Sequence, residues 1–215
     1  GPCPSPTCNH AYGASWCSHD GLHWSAPLCT DGSLGSRWDT HNNFFRPWKG
    51  SPWVVFSRSA NWTFGRQESR GSTEDFVNFA PAGSEGPLGD VVLRDSDAHE
   101  IYAMVSFSAA EASGREKYSL NERHLFLGMT AIYNEDVHGG ATVDCELSMS
   151  TDTVHWRRVF PGTAFIPRGP EGSYDGGLNF CGAKPFAKNG SLQLYYMGNR
   201  NRHNAREEWP PFGSH

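Results

Sequence analysis

The stretch "STDTVHW" (150–156) decides how this chain is read, because near-copies stand at "SHDGLHW" (18–24) and, more weakly, at "STEDFVNF" (72–79). Aligned on Asp20, Asp75 and Asp152, each copy carries Ser18, Thr73 or Ser150 two residues earlier. Leu22, Val77 or Val154 follows two residues later, then His23, Asn78 or His155, then Trp24, Phe79 or Trp156. Three copies in one chain point to a repeated structural unit. Short polar side chains such as Ser150 and Asp152 bond nearby backbone amides and stabilise a turn. The turn ends a strand: in "TVDCELSMS" (142–150), alternation sets Val143, Cys145 and Leu147 on one face and Asp144, Glu146 and Ser148 on the other. Val154 and Trp156 then point back to a core, so the recurring aspartates read as scaffold.

A second periodic feature stands ahead of apolar runs: "WDTHNNFF" (38–45), "SDAHEIYAM" (96–104) and "YDGGLNFCG" (174–182), with Asp39, Asp97 and Asp175. A unit thus opens on an Asp-bearing first strand and closes on the Ser-X-Asp turn. Such units, each of several short strands, match the blades of a β-propeller. Strands are predicted over 53–57, 91–93, 101–107, 125–133, 142–149 and 192–197, and a helix over 109–120 that Gly114 weakens. The predicted fold is all-β: a five-bladed β-propeller in an incomplete copy, with about three to four blades covered. The expected divisions are a Cys/Pro-rich segment over 1–14 and propeller blades over 15–208, with a tail over 209–215. Within the propeller, 15–37 ends one blade, 38–86 and 87–162 are blades, the latter with an insertion at 109–124, and 163–208 is a partial blade. A complete five-bladed propeller needs on the order of 300 residues. At 215 residues, opening on Gly1 rather than Met, the chain reads as an excerpt or an incomplete propeller.

Acidic residues outnumber basic ones, 23 to 18, and no basic stripe is present, which argues against nucleic acid as a partner. No run approaches the ~18 apolar residues of a membrane span. Six cysteines make an even number, and Cys3, Cys8, Cys17 and Cys29 crowd the N-terminal region. With the sequons Asn61-Trp62-Thr63 and Asn189-Gly190-Ser191, they point to a secreted, disulfide-bearing glycoprotein. Cys3, Cys8, His10, Cys17 and His19 are metal-capable types whose spacing does not match zinc pairs. No phosphate loop, dinucleotide fingerprint, serine elbow or His-Glu-X-X-His occurs, so no cofactor is expected.

In a propeller the first strand of each blade lines a central channel, so acidic residues far apart in sequence converge at one mouth. Converging carboxylates suit glycoside hydrolysis, which needs one protonated acid and one ionised base or nucleophile. The segments "CSHDGLHWSAP" (17–27), "WDTHNNFFRPWKGSPWVVFSR" (38–58), "FLGMTAIYNED" (126–136), "VDCELSMSTDTVHWRRV" (143–159), "FIPRGPEGSYDGG" (165–177) and "LQLYYMGNRNRH" (192–203) carry a resemblance. In their order and content the chain resembles the five-bladed β-propeller glycoside hydrolases, the clan of families 32 and 43, and most of all an uncharacterised family-32-like group.

That resemblance implies a sugar-processing surface at the funnel mouth, built in family 32 from a first-blade Asp, an Arg-Asp-Pro triplet and an acid Glu in a Glu-Cys pair. Here Arg94-Asp95-Ser96 stands for the triplet, Cys145 precedes Glu146 in reversed order, and the first-blade Trp-X-Asn-Asp-Pro motif does not occur. Alternation puts Glu146 on an outer strand, which makes Glu100, on a first strand, the better acid candidate. The expected catalytic carboxylates are Asp39, Asp95, Asp97, Glu100 and Asp175. Trp38 would stack on a sugar ring, while His41, Asn42 and Asn43 take its hydroxyls. Arg58 would pair with a channel carboxylate, and His203 would touch substrate. The alternatives are a non-catalytic carbohydrate-binding propeller and a protein-binding scaffold.

Overall fold

The computed structural model describes residues 14–15, 18–25, 28–29, 41–61, 65–76, 78–81, 90–95, 99–112, 124–135 and 140–203. Strands dominate, and the sheet curls into half a barrel. Strands β1 (Ala14–Ser15) and β2 (Leu28–Cys29) form an antiparallel pair. Strands β3 (Asn43–Phe45), β4 (Trp53–Asn61), β5 (Gly65–Thr73) and β6 (Ala80–Pro81) follow as an antiparallel meander. Strand β7 (Asp90–Leu93) pairs with β5 beside β6. It therefore completes the first meander, although the sequence division at 87 assigns it to the next unit.

The second meander is β8 (His99–Ser108), β9 (Phe126–Asn134), β10 (Thr142–Ser150) and β11 (Arg157–Arg158). Strand β12 (Leu178–Phe180) joins β10 in parallel, and β15 (Met197–Asn199) pairs with β12. Between them β13 (Phe186–Lys188) and β14 (Ser191–Gln193) make a hairpin. Its tip, Asn189-Gly190, has both residues at positive φ, as a two-residue type I′ turn demands. The single run predicted over 192–197 is thus split into β14 and β15. The predicted helix begins as one turn, α1 (Ala109–Ala112); its remainder lies outside the described residues.

The seam between the two meanders follows from alternation. Val54 and Phe56 of β4 meet Met104 of β8 and Phe126 and Ile132 of β9, with Trp156 closing the cluster. The other face of the second meander carries Tyr102, Tyr133 and Val143 against Leu178, and Phe107, Met129 and Cys145 against Cys181. A disulfide joins Cys145 to Cys181, with Cα atoms 5.9 Å apart and a sequence separation of 36. In the chain-entropy account a loop of that length contributes about 4 kcal/mol. Cys3, Cys8 and Cys17 lie outside the described residues, as does the Cys29 side chain.

The three turn copies carry one hydrogen-bond network. Ser150 Oγ bonds Asp152 and accepts the Thr153 amide at 3.0 Å, while Asp152 Oδ1 accepts the amides of Val154 and His155 at 2.8 Å. Ser18 and Asp20 repeat this with Gly21, Leu22 and His23, and Thr73 and Asp75 with Phe76 and Asn78. The residue after each aspartate is left-handed: Gly21 at φ 75°, Phe76 at 60° and Thr153 at 67°.

Candidate functional site

Two polar constellations share one end of the second meander, at the start of β8 and the end of β9. The first forms around Tyr102, near the start of β8. His41 precedes β3, and its ring lies 5.3 Å from that of Tyr102 on β8 and 5.8 Å, stacked, from Phe180 on β12. Tyr102 owes its position to a β-bulge: the register of β8 on β9 slips between Ile101 and Ala103, leaving Tyr102 as the extra residue. Bulges of this kind re-aim a side chain. The Tyr102 hydroxyl reaches His203 Nε2 at 2.8 Å, and its ring stacks on Tyr133 at 5.6 Å.

Cations cover these rings. The Arg58 guanidinium sits 4.3 Å above Tyr102, and Arg66 sits 4.4 Å above Tyr133 while pairing with Glu100. Directly across β4–β5 from Arg58 is Glu68, wholly buried, its carboxyl oxygens without a hydrogen-bond partner. Burial pushes the Glu68 pKa well above the usual carboxylate range, with the Arg58 charge opposing. Burial also lowers His203, helped by the charges of Arg66 and Arg58, and raises Tyr133 against the pull of Arg66.

The second constellation lies across the β8–β9 wall. Neighbouring residues on a strand face opposite ways. Glu100 and Tyr133 serve the first group, while His99 and Asn134, bonded at 2.8 Å, line the second. It is a cavity of about 800 Å³ containing three carboxylates, Asp95, Asp144 and Glu146. Asp144 accepts Arg168 Nε at 2.6 Å and Asn134 Nδ2 at 2.7 Å. Glu146 accepts Nε and Nη2 of Arg158, at 2.6 and 2.8 Å, and the Gly162 amide at 2.9 Å. The remaining arm of Arg158 holds Asp95. Burial raises the Glu146 carboxyl, with the Gly162 amide opposing and the Asp144 charge adding to the rise.

The expected site residues divide. His41, Arg58, Glu100 and His203 come together around Tyr102. Asp95 joins the acid cavity instead, because β7 pairs with β5 and delivers it beside β11. Asp175 is packed into a turn: its carboxylate accepts Ser173 Oγ at 2.8 Å and Tyr196 OH at 3.1 Å, and Gly169 leaves room for it where a Cβ would collide. Those two hydroxyls hold it below the usual carboxylate range against a smaller effect of burial. Asn43 turns its oxygen to the Ser106 amide at 2.9 Å, and Asn42 is exposed. Trp38, Asp39 and Asp97 lie outside the described residues.

Sequence reasoning set Glu146 aside as an outer-strand residue. In the structure its face of β10 looks into the seam between meanders, and that seam widens into the cavity. Arg66, Glu68, Tyr102 and Tyr133 were not anticipated; the alternating charges of "RQE" (66–68) were the available signal. Among the described residues no three His, Cys, Asp or Glu side chains are grouped so as to hold a metal ion. Set against protein-family models, curated proteins and solved structures, the chain finds no match in any of the three.

Proposed function

We propose that the chain is a carbohydrate-active propeller of the glycoside hydrolase type, working at the acid cavity. The observation that carries this reading is the gathering of Asp95, Asp144 and Glu146 around one sugar-sized space, interleaved with Arg158, Arg168, His99 and Asn134. Fixed carboxylates, guanidiniums and amides are the groups that take sugar hydroxyls. Asp95 and Glu146 both bind Arg158, and burial raises the Glu146 carboxyl, so in this reading Glu146 is the acid that carries the proton. In this reading Glu146 protonates the leaving glycosidic oxygen. Asp144, fixed by Arg168 and Asn134, takes the proton from the attacking water. Two residues apart on one strand face, these acids start about 6.5–7 Å apart at Cα. Water activated by Asp144 on the far side of the ring is the inverting course, which needs carboxyl groups about 6.5–9.5 Å apart. The Cys145–Cys181 disulfide supports an exported protein.

The test is turnover of chromogenic glycosides by Glu146→Gln and Asp144→Asn. Each should lose about 10²–10⁴-fold in kcat, with the anomer of the first product inverted. A second reading, saccharide binding without hydrolysis, is favoured by the engagement of every cavity carboxylate with a guanidinium. It predicts no turnover in the parent protein and weakened glycan binding in both variants. Turnover unaffected by either substitution removes this cavity from the chemistry.

A further inference from the structure

The hairpin of β13 and β14 is exposed along its whole length, from Phe186 to Gln193. Its tip is the sequon Asn189-Gly190-Ser191. The two tip residues are left-handed, at φ 53° and 77°, and a Cβ at Gly190 would meet nothing within 4 Å, so the tip stands in open space. Among the described residues neither the Asn189 amide nor the Ser191 hydroxyl has a hydrogen-bond partner. The other sequon starts at Asn61, the last residue of β4, and its Trp62 and Thr63 lie outside the described residues.

A second, independent observation lies on the same hairpin. Residues directly opposite each other on paired strands share a face. Lys188 with Ser191, and Phe186 with Gln193, therefore lie on one side. Tyr195 stacks on Phe186, with ring centroids 5.8 Å apart. Tyr195 is 68% exposed and Phe186 38%. A two-stranded hairpin is marginal in water, and among the described residues this one pairs with no third strand. Its aromatic pair is thus apolar surface with an attachment point close by. Phe186 stands three residues before Asn189, roughly 10 Å at the rise of a strand, within reach of the first sugars of an attached chain.

We infer that Asn189 is N-glycosylated and that the attached glycan lies back on the Phe186–Tyr195 pair. The amide suits the transfer because it is exposed and unengaged, with the Ser191 hydroxyl two residues on. Asn189 Nδ2 forms a bond to C1 of the first sugar of a polyprenyl-pyrophosphate-linked oligosaccharide. The bond from C1 to the pyrophosphate oxygen breaks, the lipid pyrophosphate leaves with the electron pair, and a proton passes from Nδ2 to a base of the transferase. The apolar C–H face of a sugar ring then covers the exposed aromatics, while its hydroxyls stay in water. No lining residue of the acid cavity belongs to this hairpin.

The experiment is peptide mapping of the full chain secreted from cultured mammalian cells, before and after peptide N-glycosidase. Asn189 should carry a glycan in most molecules, and digestion should leave aspartate there. Asn189→Gln and Ser191→Ala should each abolish that glycan. Digestion of the folded parent should lower the melting midpoint by about 2–4 °C, the shift that one modest contact gives in a chain of this size. Asn189→Gln should melt as the digested parent does. In Tyr195→Ser, which changes an exposed residue, digestion should leave the midpoint where it was. An unmodified Asn189, or the same fall in Tyr195→Ser as in the parent, would overturn the inference. A glycosylated parent that sediments as a dimer, split by Tyr195→Ser, would overturn it too, because a second copy would then cover the pair. Peptide mapping reads Asn189 whatever the chain does to glycosides, so this inference and the hydrolase reading fail separately.

Discussion

The turns at 18–24 and 150–156 are the same object in two settings. In each, a serine and an aspartate two residues later bind the same three amides, and a histidine closes on the second carboxylate oxygen at 2.6–2.7 Å. The aromatic that follows has opposite fates. Trp156 is 8% exposed, edge-on to Phe56 at 5.5 Å, with its indole N–H on the Thr153 carbonyl at 2.9 Å. Trp24 is 62% exposed. The local network therefore forms the turn by itself, and the neighbouring sheet, not the motif, decides whether the aromatic becomes core.

The largest expected effect comes from truncating the two tryptophans. Trp156→Ala empties a site bounded by Phe56 and by Gly128, whose missing Cβ would lie 3.0 Å from the indole. The loss should be about 3–5 kcal/mol in urea unfolding. Trp24→Ala should stay within about 0.5 kcal/mol, as surface changes do. Similar losses in both variants would mean that the 18–24 turn is packed as tightly as its twin, and the contrast would fall.

This contrast also marks what the sequence could tell. The turn network was legible because Ser, Asp and the amides after them are neighbours in the chain, and short-range chemistry needs no tertiary context. The strands around Phe56 and Met104 were legible as short runs bounded by turn residues, and that around Val143 from alternation as well, although their ends ran one to four residues further than predicted. The site was legible only in pieces. His41, Arg58, Glu100 and His203 were named, yet what assembles them is the bulge at Tyr102, a register slip that no local pattern announces. Asp175 was read as a first-strand acid, although Ser173-Tyr174-Asp175 repeats the Ser-X-Asp spacing and forms the same Ser-to-Asp bond. Glu146 was set aside because strand order alone does not reveal that the seam between two sheets opens into a cavity.

A smaller effect tests the aspartates. Burial pushes Asp152 up, but the His155 ring, two amides and Ser150 outweigh it and leave the carboxyl below its usual range. Asp20 is lowered too, first by the His23 amide. A carboxyl lowered on folding contributes stability that is complete above the unfolded value, about 3.9, and is lost as pH falls through the folded value. The turns therefore weaken only below about pH 4. Asp152→Asn keeps an acceptor oxygen but no charge. It should cost about 1–2 kcal/mol at pH 7, and the gap from the parent should close as pH drops from 4 to 2. Asp20→Asn should show a smaller version, because its turn anchors no core aromatic. A gap that stays constant with pH would show that the carboxylate charge adds nothing.

The smallest effect exchanges the residues after the aspartates. Gly21 occupies the left-handed position at no steric cost, whereas Thr153 holds it against its β-branch. A Cβ at Gly21 would meet nothing within 4 Å, so Gly21→Thr isolates the backbone penalty, about 1–2 kcal/mol. Thr153→Gly is not the mirror image. It relieves the same strain but removes a side chain 1% exposed, whose hydroxyl takes Arg70 Nε at 3.1 Å from the first meander. The gain and the loss should nearly cancel, leaving the urea midpoint within experimental scatter. If Gly21→Thr proves neutral, the turn at 18–24 does not hold its left-handed residue in solution, and the two copies share a spelling but not a structure. If Thr153→Gly is strongly destabilising, the Arg70 bond is the tie between meanders, and the 150–156 turn joins sheets as well as ending a strand.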